Sequence, residues 1–176
     1  MQRKKKILIL GLSDSGKTSI LLSFKKHTNI LSFCSLKPTK NVKVEDIETE
    51  NEILNIWDFG GQIDYRRYYI QEFDKYTEGV HKIIFVIDVQ NLDKYGEALD
   101  YLEEIIVWLN KENKEFKMAI FLHKYDPYLE EKEGFENIDE IMKERLIKKI
   151  RDLMPPLISY EISKTCIYST FKKIST

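Results

Sequence analysis

Residues 11–18 of this 176-residue chain read "GLSDSGKT": two glycines bracket four residues, and a lysine and a hydroxyl residue follow. The pattern is GxxxxGK[ST], and it stands where it has meaning, between the apolar run "ILIL" and the helix-like stretch "TSILLSFKK". Glycines at 11 and 16 permit backbone conformations that turn several N–H groups toward one anion, and the positive end of the next helix adds to the attraction. Gly11, Ser13, Asp14, Ser15, Gly16, Lys17, Thr18 and Ser19 are therefore candidate polyphosphate-binding residues. Lys17 is expected to reach the β and γ phosphates, and the Thr18 hydroxyl to ligate Mg²⁺.

Two later stretches extend this chemistry. In "WDFGGQ", residues 57–62, Asp58 closes an apolar run, so its carboxylate can sit beside the magnesium, through water. Gly60 and Gly61 let the chain turn, which leaves the Gly61 N–H to meet a γ-phosphate and Gln62 to orient an attacking water. "FLHKYDP", residues 121–127, ends an apolar run at a histidine, a lysine and an aspartate. Asp-Pro after a strand is ordinary turn chemistry. At the carboxyl end of a buried strand, on the rim that the phosphate loop shares, it has a second reading. Asp126 offers two acceptors to a guanine ring N–H and exocyclic amine, donors that adenine does not present in that arrangement. The Lys124 stem can lie over the base while its charge stays wet, and His123 can brace the phosphate loop or the base edge.

The elements that must position these residues follow from periodicity. "KKKILIL" reads as a buried strand feeding the first loop, and "TSILLSFKK" as a helix with Ile20, Leu21 and Phe24 on one face and Lys25 and Lys26 near its end. Residues 28–41 lack periodicity and contain Pro38, which predicts a loop. "VKVEDIE" and "EILNIWDF" predict an antiparallel hairpin around "TENE". After a polar, aromatic stretch from Gly60 to Gly79, "KIIFVIDV" predicts a buried strand whose Asp88 ends it with a turn bond. A helix then carries Leu99, Leu102, Ile105, Ile106 and Leu109 as a stripe. "FKMAIFL" is a further strand, and a helix over 137–153 groups Ile138, Ile141, Leu146, Ile150 and Leu153. "PPLISYEIS" and "TCIYSTFKKI" predict a last strand and helix. Alternating strands and helices mean an α/β fold with a mostly parallel sheet and a ligand at the carboxyl ends of its strands.

Composition narrows the function classes. Formal net charge is -1, so no whole-molecule field points to nucleic acid. Cys34 and Cys166 are far apart with no CxxC spacing, and His27, His81 and His123 are scattered, so neither a disulfide framework nor a zinc site is expected. No apolar run approaches the roughly 20 residues of a membrane span. With no Gly after Met1 and no cysteine in "FKKIST", no intrinsic membrane anchor is expected, and the expected location is cytoplasmic, peripheral to membranes only through partners. Arg66 and Arg67 read as surface arginines of a partner-binding segment, with a charge supplied in cis as the alternative. Tyr65, Tyr68 and Tyr69 read as an exposed aromatic surface, and His27 and His81 as structural or exposed.

The phosphate loop, "PT" at Pro38 and Thr39, "WDFGGQ", "HKYD" and a late "EIS" occur in the order found in the small Ras-like GTPases. "HKYD" in place of the commoner Asn-start, and the 21 positions from Thr18 to Thr39, resemble the Rag/Gtr GTPases, while "WDFGGQ" and "FVIDV" are shared with Arf. The resemblance implies a P-loop NTPase small-GTPase fold: a mostly parallel six-stranded sheet with one antiparallel strand and helices on both faces. It also implies GTP/GDP and Mg²⁺ as cofactors, with Thr39 ligating Mg²⁺ and contacting the γ-phosphate, and with the backbone around Ser163 and Lys164 supporting guanine. Effectors, exchange factors and activating proteins are implied at switch loops 28–41 and 58–75. Residues 1–176 are expected to form one GTPase domain without a C-terminal roadblock domain, and whether a separate roadblock-type protein supplies that dimerising surface is left open by the sequence. A GTP hydrolase used as a timer is the leading expectation. A non-hydrolysing GTP-binding scaffold is the alternative, and an ATP-dependent kinase conflicts with "HKYD".

Asp126→Asn replaces an acceptor with a donor facing a guanine donor. It should reject GTP by roughly tenfold or more and gain affinity for xanthosine triphosphate, whose base carries a carbonyl at that place. Competition binding measures both, and an unchanged preference for GTP would reduce "HKYD" to a strand end.

Overall fold

The computed structural model describes residues 3–25, 28–112 and 115–168. Six strands form one sheet: β1 (Arg3–Gly11), β2 (Val42–Glu48), β3 (Glu52–Phe59), β4 (Val80–Asp88), β5 (Phe116–His123) and β6 (Ile158–Thr165). Their order is β2-β3-β1-β4-β5-β6, and only β2 runs antiparallel to its neighbour. The β2–β3 hairpin closes where Thr49 N donates to Glu52 O at 2.9 Å. In register, Ile9 lies beside Asp58, Gly11 beside Val86, Asp88 beside His123, and His123 beside Thr165. Five parallel strands therefore deliver their last residues, and the loops that follow, to one edge of the sheet.

The period-two alternation sorts the strands' apolar residues onto two faces. Leu8, Leu10, Ile83, Phe85, Ile87, Met118, Ile120 and Leu122 join the larger core beneath α5 (Tyr95–Lys111) and the helix that begins at Ile138. Ile9, Ile84, Val86 and Ala119 meet Ile20 and Leu21 of α1 (Lys17–Ser23) on the other face. The predicted α5 stripe is wholly buried. No helix of the described residues is long and apolar enough to cross a membrane.

Several expectations change. Residues 28–41 are not all loop, because α2 (Ile30–Cys34) forms behind Asn29, whose side chain caps the Leu31 N–H at 2.9 Å. The 60–79 stretch holds α3 (Ile63–Gln71) and α4 (Phe73–Thr77). α1 stops at Ser23, so Phe24 is exposed rather than on its buried face, and Lys25 pairs with Glu45 at 2.5 Å. The helix over 137–153 is built as α6 (Ile138–Met142), a π turn (Lys143–Ile147) and α7 (Lys148–Leu153). Its fully buried residues are Ile138, Met142, Leu146 and Ile150, while Ile141 and Leu153 are half-buried. A spacing of four drifts by about 40° per step on a straight α-helix, and one π turn absorbs the excess and returns the stripe to the core. The last predicted helix, beyond residue 168, and His27 lie outside the described residues.

Arg66 is not a surface arginine. Its side chain is 9% exposed, forms an ion pair with Glu97 of α5 and lies 5.0 Å over the Tyr101 ring. Arg67 is exposed, as read. Of the three tyrosines, Tyr68 is exposed, Tyr65 half-buried and Tyr69 buried, edge-on to Phe59 with centroids 4.9 Å apart. The helical spacing of α3 turns Arg66 and Tyr69, three apart, onto the core side.

Removing the partner of a buried guanidinium strands a charge. Glu97→Ala should therefore destabilise by about 1–3 kcal/mol. Glu103→Ala, exposed on the same helix, should stay within about 0.5 kcal/mol. Urea midpoints at unchanged m-value compare them, and equal effects would mean that α3 is not held by this pair.

Candidate functional site

The loop from Gly11 to Gly16 leaves β1 and re-enters the chain as α1, whose N-terminal residue is Lys17. Gly16 has φ 94°, and a Cβ there would lie 2.4 Å from His123 Cδ2, so the position excludes a side chain on two counts. The His123 ring thus packs against the phosphate loop, and its Nδ1 meets Thr165 Oγ1 at 2.9 Å. Burial lowers the His123 pKa from its ordinary value, and neighbouring Lys124 adds to this. The imidazole is a neutral brace between the phosphate loop and the end of β6.

Lys17 is buried, donates to the Leu12 carbonyl at 2.6 Å and stands 3.5 Å from Ser15 Oγ. Desolvation brings its pKa down to about 8, against the pull of Asp58 and Asp14. Asp58, at the end of β3, is completely buried, and desolvation raises its carboxyl despite hydrogen bonds from two hydroxyls. Thr18 Oγ1 donates to Asp58 Oδ2 at 2.7 Å and Thr39 Oγ1 at 3.1 Å, with the hydroxyls 3.0 Å apart. Asp58 Oδ1 is buried without a hydrogen-bond partner. Two hydroxyl oxygens gathered on one oxygen of a buried carboxylate whose other oxygen is unsatisfied are a donor set that fits a divalent cation such as Mg²⁺, which takes few protein ligands when a phosphate supplies others.

Gly61 rests directly on the loop: a Cβ there would lie 2.2 Å from Leu12 C and Ser13 N, and its carbonyl accepts from Ser13 N at 3.2 Å. Gln62 is the exposed N-cap of α3. A cavity of about 300 Å³ joins these groups, lined by Ser13, Asp14, Gly16 to Ser19, Pro38, Thr39, Gly61 and Gln62, and by Phe33, Leu36 and Lys124. Gly11, Ser15 and the buried Asp58 are not in its wall. A second cavity, of about 340 Å³, shares Gly16, Ser19, Phe33 and Lys124 with the first and adds Ile30, Cys34, His123, Asp126, Ile167 and Tyr168. The two form one elongated cleft with a cationic, hydroxyl-lined end and a half-apolar end. Lys124 Nζ pairs with Asp88 Oδ2 at 2.7 Å, and Asp88 Oδ1 accepts from Gln90 N at 2.9 Å, the turn bond expected of Asp88.

Ser163 and Lys164 are not brought into this wall. β6 continues through them to Thr165, where they pair with Phe121 and Leu122, and Lys164 Nζ binds Asp139 at 2.7 Å. Ile167 and Tyr168, further along the chain, line the second cavity. Sequence reasoning also missed Ile30, Phe33 and Leu36; the signal that could have found α2 was Asn29, a good N-cap residue. His81 is exposed, its Nδ1 accepting from Lys6 N at 3.2 Å, and takes no part.

Residues 6–172 match the Gtr1/RagA G protein conserved region. ADP-ribosylation factor-like protein 1 of Saccharomyces cerevisiae is 30% identical over 147 residues, 84% of this chain and 72% of that protein. ADP-ribosylation factor F of Dictyostelium discoideum is 30% identical over 125 residues, and this chain spans 62% of its length. Ras-related GTP-binding protein D of Mus musculus is 33% identical over 124 residues, 70% of this chain but 27% of that protein. Among solved structures, the Arl6 BBS3 small GTPase from Trypanosoma brucei superposes with a TM-score of 0.71 over 93% of this chain and 87% of its own, at 18% identity, a likeness of fold. With a phosphate loop, a hydroxyl and carboxylate cluster and an "HKYD" rim on one edge of such a sheet, this chain belongs to the Gtr1/RagA G-protein family of small Ras-like GTPases, with Arf-like relatives.

Proposed function

We propose that this chain is a GTP-binding switch that slowly hydrolyses GTP to GDP and phosphate with Mg²⁺. The observation that carries this reading is that the two cavities adjoin: the phosphate-loop end and the Asp126 end share Gly16, Ser19, Phe33 and Lys124. Its charge supports the same conclusion. Lys17 and Asp58 are both shifted toward neutrality by burial, and a polyanion with its cation would restore each to its charged form. The solved Arl6 neighbour carries a bound nucleotide analogue, GppNp.

In this reading Thr18 and Thr39 hold the magnesium, with Asp58 acting through water. When bound, the cation neutralises charge on the β and γ phosphates. Lys17 and the loop N–H groups hold the same phosphates, Gln62 orients the attacking water, and Asp126 and Lys124 hold the base. Little covalent chemistry falls to the protein, whose part is positioning and charge neutralisation. The γ-phosphate end of the cleft is walled by both switch segments, Thr39 from 28–41 and Gly61 from 58–75, so loss of that phosphate changes the surface that effectors, exchange factors and activators read. Arg66 is committed to Glu97, which leaves the exposed Arg67 or an arginine of an activating partner to speed the reaction, a partner's arginine typically by about 10⁵.

Multiple-turnover phosphate release with GTP and magnesium tests the hydrolase. Gln62→Leu should keep GTP affinity and lower the single-turnover rate by about tenfold or more. Lys17→Ala should instead lose triphosphate affinity while remaining folded. No release from a protein that binds GTP would leave the non-hydrolysing scaffold as the function, and an unaltered rate in Gln62→Leu would move water positioning elsewhere.

A further inference from the structure

Gln90 follows β4 and spends both protons of its side-chain amide on the "HKYD" segment. Nε2 donates to the Lys124 carbonyl at 2.7 Å and to Asp126 Oδ2 at 2.7 Å. Both partners are pure acceptors, so the nitrogen rather than the oxygen of the amide must face them. Asp88 holds this arrangement from below, one carboxylate oxygen accepting from Gln90 N and the other from Lys124 Nζ. Lys124 has φ 62°, a left-handed conformation in which the chain reverses between His123 and Asp126, and the bond to its carbonyl secures that turn.

The direction of approach separates a support from a plug. Asp126 and Lys124 line the half-apolar end of the cleft, and Gln90 does not. Gln90 instead lines an opening with Asp88, Phe135 and Lys124, the last of which it shares with the cleft. The amide thus binds the carboxylate without itself forming part of the cleft wall.

We infer that Gln90 is a positioning residue for base selectivity: by tying Asp126 Oδ2 to the Lys124 carbonyl, it sets the carboxylate rotation that presents two acceptors to guanine. This rests on the reading of Asp126 as the base acceptor. The terminal torsion of an aspartate is broad, so a single extra hydrogen bond decides its orientation. Without the amide, the exposed Lys132 ammonium, 3.7 Å from the same oxygen, competes for the carboxylate. An oxygen that accepts from Gln90 still has a lone pair for a base donor.

The test compares affinities for GDP and inosine diphosphate, whose base lacks the exocyclic amine and so removes one of the two donors. Wild type should prefer GDP. Gln90→Leu, and the isosteric Gln90→Glu, which has no proton to give at neutral pH, should each cut the GDP-to-IDP affinity ratio by about tenfold and change IDP binding less. Asp126→Ala should bring the ratio close to one, and adding Gln90→Leu to it should change nothing further. If Asp126→Ala collapses the ratio while both Gln90 variants keep it, the role of Gln90 is overturned and the base reading stands. If Asp126→Ala leaves the ratio intact, the base reading falls and this inference with it. Equal loss of GDP and IDP affinity in the Gln90 variants would mean that the residue only stabilises the turn, and wild-type behaviour of Gln90→Glu would show that its protons are not used; either overturns the proposal.

Discussion

The constraint on which this structure turns is the burial of opposite charges beside one cleft. Lys17 and Asp58 are taken out of water, and the groups around them do not fully replace hydration. The ammonium has a carbonyl and a distant hydroxyl, and the carboxylate has two hydroxyls on one oxygen and nothing on the other. Burying an ion costs several kcal/mol in proteins even after relaxation. The opposed shifts of the two groups, lysine downward and aspartate upward, express that cost. A fold that carries such a site is organised to receive a ligand of matching charge. The parallel sheet does this by bringing strand ends and a helix N-terminus to one edge.

The rest of the cleft is held to that site by short, specific links. Gly16 admits the His123 ring against the phosphate loop, and His123 in turn meets Thr165, so the loop after β1 is packed onto the ends of β5 and β6. The Gly61 carbonyl takes the Ser13 N–H, which seats the start of α3 on the same loop, while Arg66 fastens its next turn to α5 through Glu97. At the far end, Asp88, Lys124, Gln90 and Asp126 form a chain of alternating donors and acceptors. The two ends of the cleft and α3 are thus linked through side chains from different strands and from the loops that follow them.

What the sequence determined by itself is what local rules govern. Two glycines at fixed spacing before a lysine and threonine specify a loop, a period of two specifies the strands, and the α5 stripe follows from a period of 3.6. Residues 28–41 read as a loop because Pro38 and the lack of periodicity hide α2, whose local signal is the cap residue Asn29. The tertiary structure decided the contacts between residues far apart in sequence. Gln90 meets Asp126 across 36 positions and Arg66 meets Glu97 across 31. Nothing in the neighbours of either residue announces its partner. The late loop shows the reason most plainly. Pairing with β5 carries β6 on to Thr165 opposite His123, which keeps Ser163 and Lys164 in the sheet and hands the cleft wall to Ile167 and Tyr168. Composition and spacing choose the elements, but register, a sum over hydrogen bonds and side-chain packing between two distant segments, chooses which residue emerges at the edge.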